Sequence, residues 1–127
     1  MRQSINFLPL FVIIFFIACK TNNRADTLTG KNHKFWDVST EHGYCYEFSK
    51  SDVCRYFAYM NHNGKSTREL FDFGDVVYPN TWEFINDTTI NIQGFKYFYK
   101  IINADSVKLV NVKNPNDHFF LISSPNQ

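Results

Sequence analysis

Hydrophobic and polar positions divide the chain into three stretches. Residues 7–18 form a nearly unbroken apolar run, residues 20–33 (KTNNRADTLTGKNH) are polar without a hydrophobic period, and from residue 34 onward short apolar-polar alternations recur. Side chains on a strand alternate between faces, so this last pattern predicts β-strands. The expected strands cover 34–38, 43–48, 53–60, a fourth closing over 70–73, then 81–85, 89–92, 96–102, 107–112 and 118–122. The second alternates well, with Tyr44, Tyr46 and Phe48 on one face and Cys45 and Glu47 on the other. Asn63-Gly64 is the strongest hairpin signal, because both residues tolerate the positive φ of a type I′ turn. Folding about it sets Phe57 opposite Leu70 and Arg55 opposite Asp72, two pairs that stabilise a sheet face. Pro79-Asn80, Asn86-Asp87-Thr88, Gln93-Gly94, Asn103-Ala104-Asp105 and Asn114-Pro115-Asn116 supply the remaining breaks.

Short strands joined by tight turns, without a long amphipathic helix, predict an all-β fold: an antiparallel up-and-down meander of eight or nine strands over residues 34–123, with a tail at 124–127. Closing such a meander into a small barrel removes its exposed edges, so closure is the expected arrangement. Aromatic residues occupy both faces of some strands, as Tyr97, Tyr99 and Phe98 do, which leaves inside and outside unassigned.

Composition strengthens the β reading. Aromatic residues make up 18% of the chain, with 14 Phe, 7 Tyr and 2 Trp, and such residues suit a pleated, half-buried surface. Charge narrows the partners. Once Arg2 is removed with the leading segment, the chain carries 12 basic and 12 acidic residues; without a basic footprint to neutralise phosphates, nucleic acid is not an expected partner.

The leading stretch has its own chemistry. Arg2, the apolar run and the small residue Ala18 have the order of a secretory signal, and the run is too short for the roughly 20 residues of a spanning helix. Phe16-Ile17-Ala18-Cys19 resembles the lipobox of bacterial lipoproteins. The resemblance implies cleavage after residue 18, acylation of Cys19 and attachment to a membrane of the bacterial cell envelope; Lys20 behind the modified cysteine implies the outer membrane. Residues 19–33 are then a polar tether. With Cys19 carrying lipid, Cys45 and Cys54 remain as a pair in an oxidising compartment. A two-residue turn at Ser49-Lys50 would place them directly opposite one another, at a distance a disulfide can close; the alternative is two separate buried thiols.

Trp36-Asp37-Val38, Tyr44-Cys45-Tyr46-Glu47-Phe48, Thr81-Trp82-Glu83-Phe84, Asp87 to Ile92 and Asp105 to Leu109 together resemble the small lipocalin-like lipoproteins common in Bacteroidota. The likeness spans most of residues 34–122 and lies in strand pattern and Trp placement. Lipocalins open with Gly-x-Trp, and here Lys34 stands in place of the Gly. The resemblance implies a barrel that takes a small apolar or amphipathic ligand.

Catalytic patterns are thin. Asp72-Phe73-Gly74 lacks every other kinase element. His33, His42, His62 and His118 fall in or beside turns without metal-ligand spacing, and no serine sits in a nucleophile elbow. No enzyme activity, cofactor or metal is expected. Trp36, Tyr44, Tyr46, Phe57, Trp82, Phe84, Tyr97 and Tyr99 are the candidate ligand-binding set, lining a cavity with phenol and indole groups. They would equally serve to fill a small barrel. Two functions stay open: a membrane-anchored binding module for a small amphipathic molecule, or an envelope protein-interaction module (inhibitor, immunity factor or accessory subunit) with a filled core.

Overall fold

The computed structural model describes residues 24–127, so the expected signal segment at 1–18 and the expected lipidation site Cys19 lie outside the described residues. Nine strands follow a short helix at 24–29: β1 (His33–Val38), β2 (Tyr44–Ser49), β3 (Cys54–His62), β4 (Lys65–Leu70), β5 (Trp82–Phe84), β6 (Thr89–Ile92), β7 (Phe95–Asn103), β8 (Ser106–Asn111) and β9 (His118–Ser123). They form one sheet in the order β4-β3-β2-β1-β9-β8-β7-β6-β5, with every pair antiparallel. The expected meander is present, with β9 returning to pair with β1.

The sheet does not close into a barrel. β4 and β5 are its edges, because β4 stops at Leu70, residues 71–81 are irregular and β5 is only three residues long. One isolated bridge, Val53 to Thr81, spans the seam, flanked by the Cys54 amide donating to the Asn80 carbonyl (3.1 Å) and the Trp82 amide donating to Asp52 (3.2 Å). Gln93 reinforces it: its backbone amide donates to the Thr81 carbonyl at 2.8 Å.

Alternation assigns the faces. Val107 and Leu109 on β8, with Phe119 and Leu121 on β9, point into the core, while Phe120 and Ile122 are exposed. They meet Trp36, Phe48, Ile90 and Ile92, all within 1% of complete burial. Tyr97 is inward and Phe98 outward, which resolves the two-faced aromatic strand.

The hairpin of β3 and β4 turns at Asn63 (φ 54°) and Gly64 (φ 84°), as a type I′ turn requires. Phe57 pairs with Leu70 as expected. Arg55 does not pair with Asp72, because the ladder ends at Leu70; its guanidinium instead lies 4.0 Å from Glu47 on β2.

Two further expectations are corrected. The tether was expected to extend through residue 33, but residues 24–29 are helical and packed on the core. Ala25 and Leu28, three residues apart, share one face of that helix; Leu28 is 2% exposed and its carbonyl accepts a 2.8 Å hydrogen bond from the Trp36 indole. The Lys34 ammonium sits 4.3 Å from the centre of the Trp36 ring.

The Cys45–Cys54 bridge is absent. Both thiols are free and buried. In place of a two-residue turn, the Ser49 amide donates to the Val53 carbonyl (3.0 Å), and Asp52 takes a left-handed φ of 64°. The resulting register puts Cys54 opposite Phe48 and Cys45 opposite Phe57, three residues away along the ladder. An odd displacement places them on opposite faces of the sheet. Cys54 joins the core, and Cys45 lies against Tyr59 and Arg68 on the other side. There Arg68 stacks on Phe35 (3.9 Å), and Asp37 accepts 2.5 Å hydrogen bonds from Tyr59 and Ser124.

Candidate functional site

The helix and the aromatic cluster beneath it fill one end of the concave face. Phe48, Trp82, Phe84 and Tyr99 contact in succession, with centroids 5.0–5.7 Å apart. Arg24 covers this chain, 4.3 Å over Phe84 and donating to the Tyr99 hydroxyl at 2.7 Å. The Trp82 indole donates to the Ser49 carbonyl at 2.9 Å.

Toward the other end the same strands supply a cleft of about 450 Å³ lined by Glu41, Tyr44, Tyr46, Tyr56, Phe71, Phe73, Tyr78, Gln93, Phe95 and Tyr97. Its volume falls within the range of small-molecule sites, roughly 300–1,000 Å³. β2 contributes Tyr44 and Tyr46, β3 Tyr56, and β7 Phe95 and Tyr97, all by inward alternation. The irregular segment 71–81 supplies Phe71, Phe73 and Tyr78. Gln93, buried in its tight turn, has its side-chain nitrogen 3.4 Å from both the Cys54 carbonyl and Asn80 Oδ1, which ties that segment to the floor.

Tyr56 is the hub of the aromatic wall. Its ring lies parallel to Tyr44 (5.4 Å, 2°) and near-parallel to Phe73 (5.8 Å, 21°), with Tyr46 at 4.8 Å and Phe71 at 5.7 Å. Phe73 continues edge-on to Tyr78 at 4.9 Å, and Tyr78 to Phe95 at 5.3 Å. These separations are those of favourable aromatic pairs.

The Tyr56 hydroxyl donates to Glu41 Oε2 at 2.6 Å. Burial, then this bond to a carboxylate, pushes its ionisation well above the usual phenol range. Burial raises Tyr46 likewise, and raises Tyr97 to about 12 with help from the negative charges of Asp117 and Glu41. Tyr46, Tyr56 and Tyr97 are therefore neutral phenols at physiological pH, which offer ring faces and hydroxyl hydrogen bonds.

Of the eight candidates from sequence, Tyr44, Tyr46 and Tyr97 line the cleft. The other five do not. Trp36 is wholly buried, Trp82, Phe84 and Tyr99 belong to the cluster under the helix, and Phe57 packs against Phe35 on the opposite face of the sheet. Sequence reasoning missed Tyr56, Phe71, Phe73, Tyr78, Phe95, Glu41 and Gln93. The apolar residues of 73–80 in a polar setting were the one available signal for that segment. Among the described residues no group of His, Cys, Asp and Glu could hold a metal ion. No family model, curated protein or solved structure matches the chain.

Proposed function

We propose that the domain is an envelope-anchored, lipocalin-like binding module that takes a small amphipathic molecule into the cleft between β2, β3, β7 and segment 71–81. The tyrosine-lined cleft of about 450 Å³ carries this reading. The filled end and the open cleft occupy successive positions on the same strands, so a packed core and a binding site coexist. The lipocalin likeness is supported by the meander and the β1–β9 return; the open seam beside the cleft is where this sheet departs from a barrel.

The neutral fluorophore N-phenyl-1-naphthylamine reports on such a site. Its emission should rise on mixing with the full chain, and the double substitution Phe73→Ala with Tyr78→Ala should weaken binding at least roughly tenfold, since buried aromatic anchors carry most of a site's affinity. Both side chains are only partly buried, so the fold should survive. Equal binding by the variant would place the probe elsewhere and sink the reading.

The anchor is tested separately. Cys19→Ala should shift the protein from the membrane fraction to the soluble fraction; retention unchanged would end the lipid proposal. Arg24 is five residues beyond Cys19, so an acylated Cys19 leaves at most about 17 Å of chain between the bilayer surface and the helix. The start of the helix is then held close to the membrane.

A second reading has its own observation. Val76 and Val77 in segment 71–81 are 53% and 90% exposed, and β4 is a bare edge strand. An envelope protein docking there would use that segment. Failure of the solubilised envelope to yield any specific partner of the full chain would remove this reading.

A further inference from the structure

We propose that the ligand is an organic cation: an amine or quaternary ammonium carried on a hydrocarbon or aryl body. This rests on the reading of the cleft as a ligand site and adds the charge of its occupant. Five tyrosines line the cleft, and the one formally charged residue among its lining is Glu41. No Lys, Arg or His lines it.

The cleft continues into a recess of about 130 Å³ that shares Glu41, Tyr46, Tyr56 and Tyr97 and adds a second carboxylate, Asp117. Neither carboxylate is in an ion pair among the described residues. Glu41 accepts from the Tyr56 phenol and Asp117 from the Asn111 side-chain amide (3.2 Å). Lys96 and Lys113 line an adjoining surface groove that shares Phe95 with the cleft and contains none of its tyrosines.

Three physical facts then point the same way. Aromatic faces carry the negative part of the ring quadrupole and attract a cation lying over them. Tyr46, Tyr56 and Tyr97 stay protonated, so they present faces and hydroxyl dipoles without adding fixed charge. Two carboxylates without a cationic partner give this part of the cleft a negative potential, which favours a positive headgroup and opposes a carboxylate or phosphate ligand. A hydrocarbon or aryl body would lie on Phe71, Phe73 and Phe95, with the cationic head toward Tyr56 and Glu41.

Three matched probes test this with the full chain: a 3-phenylpropyl group carrying trimethylammonium, hydroxyl or carboxylate, titrated by calorimetry beside N-phenyl-1-naphthylamine. The ammonium compound should bind at least about tenfold tighter than the alcohol, and the carboxylate weakest of the three. Glu41→Gln combined with Asp117→Asn, both at exposed positions, should narrow the ammonium-to-alcohol ratio by about tenfold. If the alcohol or the carboxylate binds as well as the ammonium, or the double variant leaves the ratio intact, the cation assignment is overturned while the cleft remains a ligand site. If none of the three binds and the naphthylamine fails as well, both readings fall together.

Discussion

Trp36→Ala should cost about 4 kcal/mol of unfolding free energy, the upper part of the range for deleting a buried aromatic side chain. The indole is completely buried at the junction of β1 with the N-terminal helix. Three losses combine. The cavity forfeits contacts with the surrounding core, the Leu28 carbonyl loses its buried 2.8 Å donor, and the Lys34 ammonium loses the ring it covers. Domains of this size have about 5–15 kcal/mol in total, so the variant should be near the edge of stability. Trp36→Phe separates the contributions: it keeps most of the packing and removes the donor, and should cost about 1–3 kcal/mol. Urea unfolding followed by circular dichroism, with Trp82 as the remaining indole, measures both. A loss under about 1.5 kcal/mol for the alanine variant, below the usual cost of emptying such a site, would show that Trp36 does not hold the helix to the sheet.

That junction also shows what could be read from the chain. The strands were legible because alternation is local: Thr89 to Ile92 matches β6 residue for residue, and Asn63-Gly64 announces its turn by the φ values only such residues accept easily. The helix was not. With only Ala25 and Leu28 as its apolar face, it has too few positions to display a period, and it is held by a tertiary hydrogen bond to a tryptophan eight residues on.

The register error at the cysteines has a similar cause. Asp52 adopts a left-handed conformation that nothing in its type demands, and the longer loop it permits moves Cys45 and Cys54 to opposite faces. The cleft was half legible. Tyr44, Tyr46 and Tyr97 came from strand alternation, but Phe71, Phe73 and Tyr78 reach it through an irregular segment, and Glu41 and Gln93 from loops whose position depends on the whole sheet. Counting large aromatics as a group over-selected: Trp36, Trp82, Phe84 and Tyr99 fill the end of the sheet that the helix covers.

Alkali should unfold the domain steeply between pH 10 and 12. The unfolded chain ionises its phenols near pH 10, whereas burial holds Tyr97 and Tyr59 up to about 12 and Tyr46 and Tyr56 raised as well. A group whose folded pKa is raised keeps its proton longer in the native state. Between the two values the unfolded chain binds fewer protons, so stability falls with rising pH, whereas below about pH 9 these phenols contribute no slope. Each phenol that the fold keeps protonated contributes at most about 1.4 kcal/mol per pH unit in that window, and less where solvent reaches it. The buried thiols of Cys45 and Cys54, raised chiefly by desolvation, act in the same direction from about pH 9. Lys34, lowered by its partial burial, offsets a small part. Urea midpoints measured from pH 8 to 11.5 should be level at first and then drop. Tyr97→Phe, compared with the parent chain, should shallow the drop by one phenol's share. Absorbance at 295 nm provides an independent check, with Tyr46, Tyr56, Tyr59 and Tyr97 lagging in the native protein at pH 11 and not in denaturant. A native titration that matches the denatured one would mean that Tyr46, Tyr56 and Tyr97 are solvated, and that the aromatic wall around Tyr56 is not packed as described.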